Sequence, residues 1–311
     1  MWWNLNKVII TENEKLPIDW DSIFPSKRIF VEIGFGNGEF TEFLAKTYPD
    51  VLIVGIEVSQ WCATKGARRA LSENLDNLKI MHGDARFILK HCFAPESVEK
   101  VFMNFPCPWP KSRHSARRVT VPAFTELLEY VLKPEGTFEL ATDVDWYAEE
   151  ASESISSSAL FEADPIVRNP VRPYVTKYER KWKAMGKDTW NLIMRKKKNL
   201  TPIKETEDDW QMEVCTDSKK TLEEVLEYLK DKEGVGVGKQ GHWVFRDSFI
   251  SSEGVGLILV VTADEGFEQH FYFKVIQNTR GIMIKVDAVG HPYRTPAMRA
   301  ALLYALDVAK D

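Results

Sequence analysis

The sequence predicts an α/β protein, a doubly wound parallel sheet followed by a second, smaller α+β domain. Three observations carry this. Between residues 28 and 196, short uninterrupted apolar runs alternate with segments of helical period, the arrangement of parallel strands joined by crossover helices. The first of these runs leads straight into Gly34-Phe-Gly-Asn-Gly38, a tight turn that opens a helix. Beyond residue 203 the grammar changes to apolar and polar residues alternating within neighbouring runs, as antiparallel strands require.

Taken in order, Arg28-Ile-Phe-Val-Glu-Ile33 predicts the first strand, and the helix after the glycine turn carries Phe40, Phe43 and Leu44 inward. Val51-Leu-Ile-Val-Gly-Ile56 predicts a second strand, with a helix over residues 60–73. Leu78-Lys-Ile-Met81 and Lys100-Val-Phe-Met-Asn104 predict the third and fourth strands. A helix over 121–132 precedes a fifth strand, Thr137-Phe-Glu-Leu-Ala141, and Thr189-Trp-Asn-Leu-Ile-Met194 is placed as a closing edge strand. The domain boundary is set near residue 203, giving domains over 1–203 and 204–311. In the second, Trp210, Met212 and Val214 alternate with polar residues, and Leu222, Val225, Leu226 and Leu229 mark a helix. Three or four alternating runs lie between 242 and 289, and a last helix begins near Pro296.

Composition excludes several classes. The 311 residues are 44% apolar and 28% charged, enough for a sizeable core. No run approaches the ~18 apolar residues of a membrane helix, and the Met1-Trp-Trp-Asn start lacks the marks of a secretory signal. Cys62, Cys92, Cys107 and Cys215 are scattered without a CxxC pair, so no metal is expected and the expected location is the reducing cytoplasm. A net charge of −5 argues against non-specific coating of nucleic acid. Basic residues nevertheless cluster: Lys111, Arg113, Arg117 and Arg118, then Arg168, Arg172, Lys177, Arg180, Lys181, Lys183 and Lys187. A basic face on an acidic protein is a footprint for a polyanion, although charge runs alone also fit a solvated surface. Oligomeric state is not legible.

The glycine turn reads GxGxG, with Glu32 before it and Glu39 at the helix start. A pyrophosphate on a helix N-terminus wants no anion beside it. A ligand bearing an ammonium and a sulfonium, S-adenosylmethionine, suits these acids, with Gly34, Gly36 and Gly38 forming the turn against it. Glu57, ending the second strand, is placed for ribose hydroxyls, and Asp84, in His82-Gly-Asp-Ala85, for the adenine amino group. A tight turn with no ligand is the plainer reading of the glycines alone.

The stretch Asn104-Phe-Pro-Cys-Pro-Trp-Pro-Lys-Ser-Arg-His114 holds three prolines, which fix the backbone and exclude a regular helix or central strand. With Val31-Glu-Ile-Gly-Phe-Gly-Asn-Gly-Glu-Phe40, Gly55-Ile-Glu57, Gly83-Asp-Ala85, Ala141-Thr-Asp143 and Thr176-Lys-Tyr-Glu179 in the same order, the chain resembles the tRNA (guanine-N7-)-methyltransferase family over roughly residues 25–196. The resemblance implies a Rossmann-like methyltransferase sheet, S-adenosylmethionine as cofactor and tRNA as partner, with guanosine 46 of the variable loop as the family site. It implies Glu32, Glu57 and Asp84 as cofactor contacts, and Lys111, Asp143, Thr176, Lys177, Tyr178 and Glu179 as substrate contacts; the backbone of Asn104 to Pro106 is expected to hold the cofactor beside Glu32. Cys107 stands where the family carries an aspartate assigned to cofactor and catalysis.

Guanine N7 has a free lone pair at neutral pH, so methyl transfer needs alignment and stabilisation of the charge moving onto the purine. Asp143 and Glu179 are the expected carboxylates at the base edge, Trp109 a stiff wall for a base turned out of its stack, and Arg113, Arg117 and Arg118 phosphate contacts. His114 is read as a phosphate or backbone contact rather than a base, and Gly234-Val-Gly-Val-Gly-Lys239 as a turn without Walker spacing. Each also has a plainer reading: Asp143 as a helix cap, Trp109 as core, the arginines as solvated. Two other functions stay open: an RNA cytosine-C5 methyltransferase using Cys107 as nucleophile, and a catalytically weak tRNA- and cofactor-binding module. Residues 204–311 are expected to assist tRNA binding or stability through exposed groups such as Trp243, Arg246 and Arg294.

Overall fold

The computed structural model describes residues 5, 7–10, 16–111, 118, 120–197, 213–236, 241–264, 267–279, 281–287, 292 and 294–310. The chain divides into two compact units, Met1–Ile203 and Lys204–Asp311.

The first unit opens with a short helix, α1 (Trp20–Ile23), and then alternates: β1 (Ile29–Ile33), α2 (Glu39–Thr47), β2 (Leu52–Glu57), α3 (Gln60–Ser72), β3 (Leu78–His82), α4 (Ala85–Cys92), β4 (Val98–Asn104), α5 (Pro122–Val131), β5 (Leu132–Thr142) and α6 (Asp145–Ser156). It ends with β6 (Phe161–Ala163), β7 (Val167–Arg168), α7 (Lys177–Ala184) and β8 (Trp190–Lys196). The strand order is β3-β2-β1-β4-β5-β8-β6, with β7 on β8. β1 to β5 run parallel and β8 antiparallel to β5. All residues of β1 and β2 are buried, as strands must be when helices cover both faces of a sheet. α3 turns Ala63, Gly66, Ala67 and Ala70 inward, small residues that let the helix lie close to the sheet. The chain order reverses between β1 and β4, which opens a crevice outside the carboxyl ends of the strands.

Some boundaries differ from expectation. The helix expected over 121–132 ends at Val131 and β5 begins at Leu132, because Pro134 cannot extend a helix and disfavours helical backbone at Lys133. α1, α4, α7, β6, β7 and β10 go beyond the elements expected from the sequence.

The second unit comprises β9 (Glu213–Thr216), α8 (Leu222–Leu229), β10 (Glu233–Val235), β11 (His242–Ile250), β12 (Val255–Asp264), β13 (Phe267–Asn278), β14 (Gly281–Val286) and α9 (Pro296–Ala309). Its antiparallel sheet is ordered β10-β11-β12-β13-β14-β9. Leu226 and Leu229 of α8 and Met298 and Leu302 of α9 share one core with Ile258, Val260, Phe271 and Phe273, so both helices cover the same sheet face. Thr221 and Glu224 close a reciprocal cap on α8. Trp210 and Met212 lie outside the described residues. Trp243 is not an exposed aromatic but a core residue, 5% exposed, whose indole donates to the Val235 carbonyl at 3.2 Å. Gly234, read as part of a turn, instead pairs with Trp243 across β10 and β11, and it is a glycine because that ring fills its side-chain space: a Cβ there would meet it at 2.4 Å.

Candidate active site

The glycine turn leaves β1 with Gly34, Gly36 and Gly38 at φ of 68°, 58° and 76°, the left-handed region that glycine enters without strain. The Gly34 amide donates to the Ile56 carbonyl at 2.8 Å and the Gly36 amide to Glu57 Oε2 at 2.9 Å, which ties the turn to the end of β2. A Cβ at Gly34 or Gly36 would meet nothing within 4 Å, so the backbone here faces open space. Phe35 points the other way and is buried. A Cβ on Gly55 of β2 or on Gly66 of α3 would lie 2.7 Å from its ring, so both positions admit only glycine against it.

Three carboxylates follow the strand ends. Glu32, next to last in β1, is 2% exposed; its Oε1 accepts from Asn104 Nδ2 at 3.1 Å and its Oε2 has no hydrogen-bond partner. Burial pushes the Glu32 carboxyl up to about 8; the Asn104 hydrogen bond and the Arg172 charge oppose this, and the neighbouring Glu57 adds to it. Glu57 accepts from the amides of Gly36 and Ser59, at 2.9 and 3.0 Å. Asp84 caps α4 by accepting from the Arg86 amide at 2.8 Å, and it pairs with the Arg86 guanidinium at 2.6 Å. An unpartnered buried carboxylate oxygen beside an open glycine backbone fits the ammonium end of S-adenosylmethionine. Glu39, in contrast, is not left for a ligand: Arg180 reaches it at 2.7 Å and Asn37 at 2.6 Å, holding its carboxyl below the usual range against the effect of burial.

The prolyl loop departs from Asn104, the last residue of β4. Phe105 and Trp109 sit at φ of 53° and 46°, left-handed positions that cost non-glycine residues of order 1–3 kcal/mol each. Two fasteners hold this geometry. The Phe105 amide donates to the Ala141 carbonyl at 2.7 Å, and Arg118 donates to the Trp109 carbonyl through Nε and Nη2 at 3.1 and 2.9 Å. Arg118 also pairs with Glu150 at 3.2 Å and lies over the Trp146 ring at 5.2 Å. The expectation that Arg118 meets RNA phosphate is therefore corrected: its side chain is 14% exposed and closes the loop. Cys107 and Lys111 are exposed on that loop; Arg113, His114 and Arg117 lie outside the described residues.

Asp143 follows β5 and is approached by Lys187 Nζ at 3.4 Å. It does not cap α6, whose N-cap is Val144 without a side-chain bond. The Thr176–Glu179 run starts α7 and splits by direction. Thr176 accepts from the Glu179 amide at 3.2 Å as the N-cap, while Lys177 and Tyr178 face solvent. Glu179 is wholly buried, paired with Arg172 at 3.1 Å and Lys183 at 2.8 Å. The expected contact of Glu179 with the guanine edge is thus corrected, since both its oxygens face cations inside the protein. Arg172, noted from sequence only as one charge of a basic cluster, is 5% exposed on its side chain and joins Glu179 to Asn104 Oδ1.

The sheet thus brings Glu32, Gly34, Gly36, Gly38, Glu57, Asp84, Asn104 and Asp143 to the carboxyl ends of five adjacent parallel strands. A family described as "Putative methyltransferase" matches residues 26–192. The tRNA (guanine-N(7)-)-methyltransferase of Thermotoga maritima is 39% identical over 304 residues, covering 95% of this chain and 96% of that protein. The chain belongs to the tRNA (guanine-N7-)-methyltransferase family. Another member, from Thermus thermophilus, is 31% identical, covering 90% of this chain and 88% of its own. The Pseudomonas aeruginosa member is 35% identical over 180 residues, 56% of this chain and 73% of its own. The 304-residue match extends beyond the first unit, so the second unit is shared with at least that family member. Among solved structures, the antibiotic-resistance methyltransferase Kmr aligns over 58% of this chain and 93% of its own, at 16% identity and a TM-score of 0.45.

Among the described residues, no group of three or more His, Cys, Asp or Glu is arranged to hold a metal, and no helix is long and apolar enough to cross a membrane. No disulfide joins any of the four cysteines.

Proposed function

We infer that this chain transfers the methyl group of S-adenosylmethionine to N7 of a guanine in tRNA, with the variable-loop guanosine 46 as its target. The observation that carries the reading is 39% identity to a tRNA (guanine-N(7)-)-methyltransferase across 95% of the chain. When bound, the cofactor supplies an electrophilic methyl group beside a positive sulfur.

The residues of the chain have three tasks. Glu32 offers its free oxygen to the ammonium of the ligand, Glu57 takes the ribose hydroxyls on its remaining lone pairs, and Asp84 takes the adenine amino group. The open backbone at Gly34 and Gly36 lets the ligand approach closely. Because N7 carries its own lone pair, no side chain has to remove a proton; the loop through Cys107 and Trp109 and the carboxylate of Asp143 orient the purine. Asp143, at the end of β5, also stabilises positive charge as it passes to the base, and its pairing with Lys187 holds it in place until then. Lys111, Lys177 and Tyr178, exposed on the prolyl loop and on α7, are the proposed tRNA contacts.

The second unit is proposed to assist tRNA binding or stability, with Arg246 and Arg294 as its candidate contacts, and four cysteines without a disulfide suit a reducing cytoplasm. Incubating tRNA with the protein and methyl-labelled cofactor, followed by nucleoside analysis, tests the reading. N7-methylguanosine is expected; 5-methylcytidine would make Cys107 a nucleophile, and no product would leave a binding protein.

A further inference from the structure

Arg172 stands four residues ahead of the Thr176–Glu179 run, and its side chain is buried away from solvent. Its Nη1 donates to Glu179 Oε2 at 3.1 Å, its Nη2 donates to Asn104 Oδ1, and Glu139 Oε1 lies 3.9 Å away. Asn104 turns its NH2 to Glu32 Oε1 at 3.1 Å. The two contacts fix one amide orientation, since a flipped Asn104 would set donor against donor at Arg172 and acceptor against acceptor at Glu32. The result is an unbroken chain of polar contacts, Glu32–Asn104–Arg172–Glu179–Lys183, running from β1 to the last turn of α7. At one end Glu32 keeps Oε2 free of protein partners; at the other, Glu179 anchors the turn that displays Lys177 and Tyr178.

We propose that Arg172 is a positioning residue that couples the cofactor crevice to the tRNA-facing start of α7: it aims Glu32 through Asn104 and fixes Lys177 and Tyr178 through Glu179. The proposal rests on the reading of Glu32 as a cofactor carboxylate and of Lys177 and Tyr178 as tRNA contacts. A lysine cannot replace it, because one ammonium on a flexible stem lacks the planar fork that meets an amide oxygen and a carboxylate together. Coupling of this kind is reciprocal: whatever tRNA does to cofactor affinity, cofactor does to tRNA affinity.

The test is calorimetric titration of S-adenosylmethionine into the full chain, with and without tRNA, from pH 6 to 9, for wild type, Arg172→Lys and Glu179→Gln. Glu32 is faced by Asn104 of β4, Arg172 before α7, Glu57 of β2 and the Thr41 backbone of α2; Asn104, Arg172 and Thr41 hold its carboxyl down, while Glu57 adds to the effect of burial. Arg172→Lys is therefore expected to weaken cofactor binding about tenfold, as loss of a partner behind a ligand-holding group does. It should also move the pH at which affinity falls upward. Glu179→Gln, which touches neither Glu32 nor the ligand, should shift both in the same direction. The ratio of cofactor Kd with and without tRNA should differ from one in the wild type and return to one in Arg172→Lys. Wild-type protein that binds no cofactor would refute the reading of the crevice itself. Wild-type protein that binds it, beside a folded Arg172→Lys or Glu179→Gln with unchanged affinity and pH inflection, would overturn the coupling. If Arg172→Lys does not fold, the Glu179→Gln result decides.

Discussion

Replacing Glu32 with glutamine should make the free protein more stable while damaging it as an enzyme. Burial holds the Glu32 carboxyl at about 8 against an ordinary 4.5, so between these values the native protein carries one proton more than the unfolded chain. Stability then falls as pH rises through that window, is free of the penalty below 4.5 and carries all of it above 8. At 1.36 kcal/mol per pH unit the gap corresponds to roughly 5 kcal/mol at pH 9. Glutamine keeps an oxygen for Asn104 and removes the charge. Urea unfolding of wild type and Glu32→Gln at pH 5 and pH 9 measures the difference, with the unfolding of the second unit as internal reference. The variant should gain several kcal/mol over wild type at pH 9 and little at pH 5. The same variant should lose cofactor affinity by roughly 1.5–3 kcal/mol, the worth of a charge-assisted hydrogen bond. Wild-type binding near neutral pH should release a proton, visible as binding heats that depend on the ionisation enthalpy of the buffer. Parallel stability curves for the two proteins, with buffer-independent heats, would mean that Glu32 is already ionised in the free protein, and the reasoning would fail.

Glu57→Ala should weaken S-adenosylmethionine binding by roughly 1.5–3 kcal/mol in calorimetry; unchanged affinity in a folded variant removes Glu57 from the site. Gly66→Ala places a methyl group 2.7 Å from the Phe35 ring and should lower unfolding free energy by about 1–3 kcal/mol in thermal or urea denaturation. No loss would show that the ring moves aside. Cys107→Ser should keep N7-methylguanosine formation within about tenfold, ~1.4 kcal/mol of barrier, and Cys107→Asp should match or exceed wild type, whereas Asp143→Ala should be far slower than either. Complete inactivity of Cys107→Ser, with a trapped protein–RNA adduct in wild type, would make the cysteine a nucleophile.

The central strands β1 and β2 were legible because each is a run buried on both faces, and Glu57 and Asp84 because chain order alone sets which strand end they occupy. The edge elements β6 and β7, three and two residues long, carry too little pattern to read. The fate of individual charges was not legible either. Glu39, Arg118 and Glu179 were read as facing ligand or RNA, yet each is claimed by a partner that only the tertiary fold brings near: Arg180, the Trp109 carbonyl and Arg172. Trp243 misled for the opposite reason, since an aromatic in an alternating strand gives no sign by itself of which face it takes. The one available hint for Arg172 was its place just ahead of the Thr-Lys-Tyr-Glu run, where a proline follows it and stiffens the approach to α7.

Phe35 bears on how this protein can be recombined with its relatives. The ring is seated against positions 55 and 66, so residues from the turn, the second strand and the third helix must be inherited as a set. A chimera whose crossover falls between 35 and 66 remains sound only if the donor also carries a bulky ring at the first position and glycine at the other two. Crossovers outside that interval leave the set whole. Libraries built by exchanging the cofactor turn alone should therefore be rich in poorly folded members, and libraries exchanging residues 29–72 as a block should not.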